Sequence, residues 1–480
     1  MPDKPRHSGH QRFTEIALPR IVPLILAVAL FMEMMDSTVI ATSLPAIAAD
    51  IGTSPIALKL AFTTYLVALA IFIPASGWTA DRFGARRVFM IAIAIFTVGS
   101  LLCAAADSLA AFVGARFIQG MGGSMMTPVA RLVLVRATER RDLVSAMAWL
   151  SVPALMGPMV GPVVGGFLTT FVSWHWIFLV NLPIGLAGIA LSARFLPELP
   201  GRPNGKLDVT GLLLSGLAAA GIVFGLSVIS LPALPKPVGV AATLTGLISA
   251  LLYYRHARRT EKPVLDLRLF SVRSFRATIV SGFLVRLGIG ATPFLLPLML
   301  QIGFGLTAFH SGLVTFVGAV GAITAKFTTA RTYERFGFKH VLVATIAISA
   351  LFLTAMSAFS PAVPFSVIYA VLFMSGVVRS LMFTGFNALA FADVESEQAG
   401  AATALTAVFQ QISLAMGVAL AGMMVEASMV FHASGPGLVD FQFAFLAVSA
   451  FSFAAIVPMI ALDSKAGSAV SGHRTTAGET

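Results

Sequence analysis

The chain has few charged residues to interact with water and few residues that could bind a cofactor. Only 11% of its 480 residues are charged and 57% are hydrophobic, which leaves too little polar surface for a soluble globule. Its single cysteine, Cys103, excludes a disulfide within the chain, and no cluster of cysteine and histidine offers a metal site. The phosphate-binding pattern GxxxxGK[ST] is absent as well, so neither ATP nor another cofactor is predicted.

Most of the chain consists of long apolar segments. A helix of about 20 apolar residues crosses the hydrocarbon of a bilayer. Fourteen segments have roughly that character, at residues 21–44, 58–78, 88–106, 109–134, 143–169, 176–196, 209–229, 237–254, 277–301, 310–328, 340–357, 365–390, 401–426 and 441–462. The loops between them are too short for a soluble domain, so we predict an all-α polytopic protein embedded in the lipid bilayer.

The basic residues lie mostly on one side of this predicted topology. If the N-terminus is cytoplasmic, only Lys59 and Lys236 lie on the opposite side. Cytoplasmic loops of membrane proteins are enriched in Lys and Arg, so both termini are expected in the cytoplasm. The apolar run after the basic first twenty residues has no cleavage site, so no cleaved signal peptide is predicted. The same asymmetry explains most of the net charge of +11, and nucleic-acid binding is not expected.

A charged turn recurs in the second half of the chain. Residues 81–84 read Asp-Arg-Phe-Gly and residues 334–337 read Glu-Arg-Phe-Gly, each followed by two basic side chains. Both turns face the cytoplasmic side, which indicates parallel repeats about an axis along the membrane normal. We therefore predict a cytoplasmic tail at 1–20, a six-helix bundle at 21–200, a linker with two extra helices at 201–276, a second six-helix bundle at 277–462 and a cytoplasmic tail at 463–480.

The first apolar segment contains two carboxylates, Glu33 and Asp36. An ionisable group at membrane depth is costly and typically marks a substrate path or a proton relay. The two residues are nearly one helical turn apart, so both side chains could face one cavity. Burial disfavours the ionised form of a carboxylate, which suits a group that must bind and release protons. A structural ion pair with an arginine is the alternative for each.

Four stretches in order along the chain form recognisable motifs. They are DSTVIATSLP from Asp36, GWTADRFGARR from Gly77, RFIQGMGG from Arg116, and GPMVGPVVGG from Gly157, the last followed by WHWIFLVNLP at residues 174–183. The chain thereby resembles the major facilitator superfamily, and within it the fourteen-helix drug:proton antiporters of the EmrB/QacA type and their MdtD-like branch. Ala41 departs from the asparagine of the family's first motif. The resemblance implies two six-helix bundles related by a pseudo-twofold axis, with two inserted helices, and a transporter rather than an enzyme.

The resemblance also implies roles for the motif residues. Asp36 would carry the proton, and Arg116 would pair with the acid and promote its deprotonation, with a purely structural role as the alternative for Arg116. The charged turns would form a cytoplasmic latch that one conformation makes and the other breaks, or would simply be solvated turns. The residues of this predicted latch are Gly77, Asp81, Arg82, Gly84, Arg86, Arg87, Glu334 and Arg335.

The fifth segment combines small residues with prolines. Missing side chains let a neighbouring helix approach closely, and prolines loosen the backbone hydrogen bonding. We predict that this helix seals or flexes between the bundles during transport, with a static packing seam as the alternative. Its residues are Gly157, Pro158, Gly161, Pro162, Gly165 and Gly166, and Gly161, Gly165 and Gly166 are expected on one face.

Besides Arg116, the cations inside the apolar segments include Arg131, Arg286, Lys326 and Arg379. Arg286 and Arg379 are near the centres of their spans, whereas Arg131 and Lys326 are near cytoplasmic ends, from which they could reach water. The offset of 253 residues between the two charged turns relates Glu33 to Arg286, so these two residues are candidates for an ion pair across the bundles. Arg379 is the other candidate partner of Glu33. The alternative is a substrate cavity with excess positive charge, lined by Arg286, Arg379 and Arg131, that favours an anionic ligand.

Uncharged polar groups could add selectivity to that cavity. Asn387, Gln410 and Gln411 lie within apolar segments, where they would hydrogen-bond either a ligand or a neighbouring helix.

These observations predict a secondary transporter of the bacterial inner membrane that exports small molecules in exchange for protons by alternating access, working as a monomer. The broad multidrug type follows from the resemblance. The arginines favour, as an alternative, export of an organic anion or a metal chelate, and an importer is a further alternative. An enzyme is not expected because no nucleophile and base, and no set of metal ligands, lies at membrane depth. A sensor would need a soluble output domain, which no loop can supply.

Overall fold

The computed structural model describes residues 9–139, 142–201, 205–229, 231, 235–430, 435–463 and 466–467. This part of the chain is helical and contains no strand. Its α-helices are α1 Gly9–Val39, α2 Leu44–Asp50, α3 Lys59–Phe72, α4 Ser76–Phe83, α5 Ala85–Ala104, α6 Leu109–Ala137, α7 Leu143–Phe171, α8 Trp176–Leu179, α9 Asn181–Phe195, α10 Val209–Ile229, α11 Lys236–Arg259, α12 Arg273–Ile289, α13 Thr292–Leu298, α14 Ala308–Thr324, α15 Thr329–Met356, α16 Phe365–Leu389, α17 Ala399–Met429, α18 Leu438–Ala454 and α19 Ile456–Ile460.

Twelve helical stretches in the described residues are long and apolar enough to cross a bilayer. Four of them are each built from consecutive α-helices, namely Lys59–Phe83, Trp176–Phe195, Arg273–Gly303 and Leu438–Ile460. Helices α6 and α7, with 29 residues each, are additional; at 1.5 Å per residue they are also long enough to span. The all-helical polytopic class is confirmed, and the arrangement is consistent with the predicted fourteen spans.

The two charged turns have the same backbone conformation. Gly84 ends α4 with φ +90°, and Gly337 interrupts α15 with φ +70°. Residues with a side chain rarely adopt these angles, so glycine is required to redirect the helix at both places. The recurrence seen in the sequence is therefore also a recurrence of structure.

The two halves of the chain meet along two helix pairs. Helix α7 packs on α14, and α3 packs on α17. The hairpin of α10 and α11 lies outside these contacts and packs through α10 against α3 and α17. The predicted boundaries of the bundles and linker stay a prediction.

The glycines of α7 contact two different helices, α1 and α14. The prediction that Gly161, Gly165 and Gly166 share one face was therefore wrong. A Cβ at Gly157, Gly161 or Gly165 would lie within 3 Å of α1, whereas a Cβ at Gly166 would lie 2.4 Å from the Ala308 carbonyl oxygen on α14. Gly165 and Gly166 are adjacent in sequence and point about 100° apart around a helix with 3.6 residues per turn. Helix α7 thus lies between its own bundle and the other half.

Adding one methyl group at Gly165 should destabilise the protein. An alanine Cβ there would lie 2.3 Å from the Val39 carbonyl oxygen, and overpacking typically costs about 1–3 kcal/mol. We expect a lower melting temperature for Gly165→Ala in a thermal denaturation assay. Gly114→Ala is the matched control, because a Cβ at Gly114 meets no atom within 4 Å; an equal loss of stability in both variants would contradict the packing argument.

A polar junction holds the α10–α11 hairpin at its basic end. The Asp208 carboxylate accepts a hydrogen bond from the Gly211 N–H at 2.8 Å and contacts His256 Nε2 at 2.7 Å. It also accepts from the Val264 N–H at 3.2 Å. Burial by itself would raise the pKa of Asp208, but these hydrogen bonds outweigh it and hold the pKa below its ordinary value. The ionised carboxylate therefore joins the start of α10, the end of α11 and the loop after it.

Removing this carboxylate should loosen the hairpin. We expect Asp208→Ala to lower the stability by about 0.5–2 kcal/mol, the typical cost of losing a helix N-cap. Because the folded-state pKa is lowered, the contribution is present above the ordinary carboxyl pKa and disappears as the pH falls through the folded value. Thermal melts of the variant and the parent should therefore differ at pH 7 and converge in strong acid. A constant difference at all pH values would show that the charge does not matter.

Candidate functional site

A buried polar network surrounds Asp36 in the first half of the chain. Asp36 is fully buried on α1, and its Oδ2 accepts a hydrogen bond from Arg116 Nη1 on α6 at 2.7 Å. Its Oδ1 accepts from Gln119 Nε2 at 2.8 Å and from Asn181 Nδ2 at 3.0 Å. Helices α6 and α9 therefore hold the Asp36 carboxylate of α1 through three hydrogen bonds.

Arg116 is as tightly surrounded as Asp36. It is 1% exposed, and its Nη1 also donates to Gln119 Oε1 at 2.6 Å. The guanidinium lies over the ring of Tyr65, 4.2 Å from the ring centre, where an aromatic face stabilises a cation. The Nε atom has no hydrogen-bond partner. The predicted contact between Asp36 and Arg116 is present, and its role in proton coupling stays a prediction.

Two members of the network were overlooked in the sequence. Gln119 and Asn181 both lie in recognised motifs, but neither was assigned to Asp36. Gln119 follows Arg116 by three residues, a spacing that puts both on one face of α6. Asn181 begins α9 and also donates to Ser100 Oγ at 3.0 Å, which extends the network to α5. The i, i+3 spacing was a usable signal for Gln119, whereas no sequence signal linked Asn181 to Asp36.

Glu33 has a different environment from Asp36. It is 4% exposed and accepts a hydrogen bond from Thr127 Oγ1 at 2.9 Å. Arg131, one turn further along α6, interacts with it electrostatically. The proposed ion pair between Glu33 and Arg286 is absent from the described residues, so that prediction was wrong. Both carboxylates are buried, and they contact different partners.

The structure brings three of the predicted cavity residues together in the second half. Arg286, Asn387 and Gln410 border one narrow cavity between α12, α16 and α17. Gln410 Nε2 donates to Asn387 Oδ1 at 3.3 Å. Arg286 is 8% exposed, and its guanidinium lies 4.8 Å from the ring centre of Phe383. The hydroxyls of Thr278 and Thr406 border the same cavity and have no hydrogen-bond partner.

The remaining predicted cavity residues lie elsewhere. Arg379 and Gln411 are half-buried, and neither borders the cavity of Arg286. Arg131 and Lys326 are exposed, in keeping with their predicted reach to water, and Lys326 Nζ donates to Thr384 Oγ1 at 3.1 Å. The structure therefore does not assemble one cavity from all the predicted cations.

The predicted latch forms contacts within the first half. Arg136 Nη2 donates to Asp81 Oδ1 at 2.5 Å and joins the turn to the end of α6. Arg86 donates to the Ala193 carbonyl oxygen and lies 3.7 Å from Glu198. Arg82 and Arg87 are exposed, as are Gly77 and, in the second turn, Glu334 and Arg335. The first turn is thus tied to α6 and α9.

A buried ion pair joins the two halves at the opposite end. Lys59 Nζ lies 2.6 Å from Glu426 Oε2, and the lysine side chain is fully buried. A Cβ at Gly422 would lie 2.4 Å from Lys59 Cδ, so this glycine makes room for the lysine stem. Lys59 was predicted to lie on the non-cytoplasmic side, and neither its burial nor its pairing with Glu426 was predicted. Glu426, at the end of an apolar segment, was the available signal.

Other polar contacts between the halves lie near this pair. Gln301 Nε2 donates to the Thr42 carbonyl oxygen at 3.0 Å, and the Phe309 N–H donates to Thr170 Oγ1 at 3.1 Å. Phe309 also packs edge to face on Phe171. All these residues lie near helix ends remote from the Gly84 and Gly337 turns. The end of the molecule opposite the charged turns is therefore closed.

Comparisons with known proteins agree with this architecture. A family model described as the Major Facilitator Superfamily matches residues 26–418 and, in a second match, residues 278–476. A relative from Cronobacter sakazakii (strain ATCC BAA-894), named "Putative multidrug resistance protein MdtD", is 36% identical over 404 residues, covering 84% of this chain and 85% of the relative. The protein of the same name from Escherichia coli (strain SMS-3-5 / SECEC) is 34% identical over 407 residues, covering 84% and 85%.

Solved structures share the fold at low sequence identity. The crystal structure of a D-xylose-proton symporter gives a TM-score of 0.68 at 15% identity and covers 93% of this chain and 98% of that chain. The nucleoside transporter NupG gives 0.64 at 15% identity, covering 92% and 98%. The chain therefore belongs to the major facilitator superfamily, in the branch of its MdtD relatives, and is a multi-pass inner-membrane transporter.

Proposed function

We propose that this transporter is a proton-coupled antiporter that exports small molecules of the multidrug type. The observation that carries the proposal is the buried contact between Asp36 and Arg116, at 2.7 Å. A carboxylate sealed from water and matched by one guanidinium can change its protonation only when that partner moves. Proton binding is thereby tied to a rearrangement of α1 against α6, which is what coupled transport requires.

In the proposed cycle, Asp36 is deprotonated in the observed conformation. Here the end remote from the charged turns is closed, and Asp36 is paired with Arg116. With both termini in the cytoplasm, this is the inward-facing side of the cycle. Opening toward the other side would separate α1 from α6, so that Asp36 takes up a proton there while substrate leaves. On return, the approach of Arg116 would expel the proton to the cytoplasm. We further propose that a single chain completes this cycle.

Gating residues at the two ends support the same scheme. The Lys59–Glu426 pair joins α3 to α17, and α7 lies against both α1 and α14 through its glycines. The Asp81–Arg136 contact and the Gly84 turn lie at the other end. A transporter that alternates between two open states needs contacts at each end that form and break in turn.

The Arg286 cavity favours a second candidate, the export of an organic anion or a metal chelate. Among the described residues no carboxylate pairs with its guanidinium, and the two threonine hydroxyls beside it lack hydrogen-bond partners. The cavity has a volume of only about 10 Å³, so a substrate carboxylate would bind Arg286 in a more open conformation, where the planar guanidinium could give it two hydrogen bonds. The MdtD relatives carry a multidrug name, so the anion stays the second candidate.

Transport in proteoliposomes tests the proposal and separates the candidates. An imposed pH gradient should drive substrate in the direction opposite to proton flow. Lipophilic cations are the expected substrates, and polycarboxylates, with and without a bound metal ion, test the anion. Arg286→Gln should abolish transport of polycarboxylates and leave that of lipophilic cations intact. Movement of substrate in the same direction as protons would instead identify an importer.

A further inference from the structure

A large groove lies in the second half at the end that carries the basic loops. It has a volume of about 980 Å³ and lies between the start of α12, the turn after Gly337 on α15 and the segment around α19. Arg273 and Arg276 border it from α12, and Lys339 borders it from α15. Both arginines are exposed and Lys339 is half-buried. The groove therefore places three cations at the level where the helices leave the bilayer.

One buried side chain in this groove lacks a partner. Ser274 is 2% exposed, borders the groove, and its Oγ makes no hydrogen bond. Buried hydroxyls in native proteins nearly always have a partner. An acceptor located in the groove would supply one, and a phosphate oxygen is the acceptor that the neighbouring arginines would also bind.

The groove also has an apolar side. Val280, two turns along α12 from Arg273, is 40% exposed, and Ile460 on α19 is 57% exposed. Val280 lies deeper along α12 than the basic residues, and Ile460 ends the last span beside them. This combination of cations and apolar surface matches a molecule with an anionic head and a hydrocarbon chain. The anionic lipids of the cytoplasmic leaflet are recognised by basic pockets of this kind between transmembrane helices.

We propose that this groove is a binding site for a phospholipid of the cytoplasmic leaflet. The lipid phosphate accepts hydrogen bonds from Ser274 Oγ, Arg273 and Arg276, and one acyl chain lies along Val280 and Ile460. Asp393 and Asp463 also border the groove, so the site carries only one net positive charge and selects its ligand by the position of the phosphate more than by bulk charge.

Lipid binding to the purified full chain tests this proposal without any transport assay. The protein is delipidated in detergent, and phosphatidylglycerol in mixed micelles is titrated while bound lipid is measured by native mass spectrometry. The double variant Arg273→Gln/Arg276→Gln should weaken binding at the saturable site at least tenfold, as expected for the loss of charge-assisted hydrogen bonds. Arg258→Gln/Arg259→Gln is the matched control, because it removes the same charge from exposed positions at the end of α11.

A second variant tests the proposed hydrogen bond from Ser274 to the lipid phosphate without changing the charge of the protein. Ser274→Ala keeps all charges and removes only the unpaired hydroxyl, so the protein should fold as before and bind the lipid about tenfold more weakly. Melting temperatures without lipid identify any variant that fails to fold. Equal loss of lipid in both double variants would overturn the proposal, because it would show attraction by bulk charge. Equal binding of glycerol phosphate, which has the phosphate without the acyl chains, would show a soluble phosphate ligand instead.

Discussion

Replacing Asp36 with asparagine is expected to abolish substrate accumulation driven by a pH gradient. The amide has nearly the shape of the carboxylate and can still accept from Arg116, but it cannot bind or release the coupling proton. It also leaves the buried guanidinium without a counterion, and removing one partner of a buried pair costs about 3–5 kcal/mol. Accumulation in proteoliposomes should fall to the level of protein-free vesicles.

Two controls make this experiment decisive. Asp107→Asn makes the same chemical change at an exposed carboxylate and should transport like the parent. Counterflow, in which labelled substrate exchanges without any gradient, should persist in Asp36→Asn if the variant is folded and binds substrate. Gradient-driven accumulation at the parental rate in Asp36→Asn would refute the assignment of Asp36 as the carrier.

Breaking the Lys59–Glu426 pair is expected to open the closed end. Glu426→Gln removes the carboxylate that pairs with a fully buried lysine, which strongly disfavours the closed arrangement. A cysteine introduced by Ala308→Cys, where α14 meets α7, reports on this opening, since Ala308 is only 8% exposed. Its labelling by a polar maleimide should become at least tenfold faster. The native Cys103 is fully buried and should contribute little background.

The matched variant replaces both charges with apolar side chains. Lys59→Met/Glu426→Leu removes the buried charges together, and such replacements are often neutral or stabilising. We expect labelling of Ala308→Cys to return to the parental rate or below, while transport slows because the closed end opens less often. If the single and double variants label equally fast, the pair does not hold this end closed.

The contact between Asp36 and Arg116 could be predicted because both residues lie in recognised motifs. Opposite charges at membrane depth also attract each other strongly, since little water is present to screen them. The Lys59–Glu426 pair could not be predicted, since 367 residues separate its partners and only the packing of α3 on α17 brings them together. Lys59 also lies at the boundary of an apolar segment, where sequence alone does not distinguish a loop from the first turn of a buried helix.

The expected pairing of Glu33 with Arg286 failed for a geometric reason. An internal repeat relates equivalent places in the two halves, but equivalent places need not touch. Helix α1 packs against α6, α7 and α9, whereas α12 packs against α17 and α18, so each residue faces its own bundle. Gly166 was misassigned for a similar reason. It follows Gly165 directly in sequence, but it faces α14 whereas Gly165 faces α1.

The most direct test of proton coupling is to measure the proton itself. Proteoliposomes that contain a pH-sensitive dye are equilibrated without a gradient, and substrate is then added on one side. If Asp36 exchanges protons for substrate, substrate entry should drive protons out and make the interior more alkaline, and Asp36→Asn should give no pH change while still exchanging labelled substrate. Substrate entry without any pH change in the parent protein, or the same pH change in Asp36→Asn, would contradict the account.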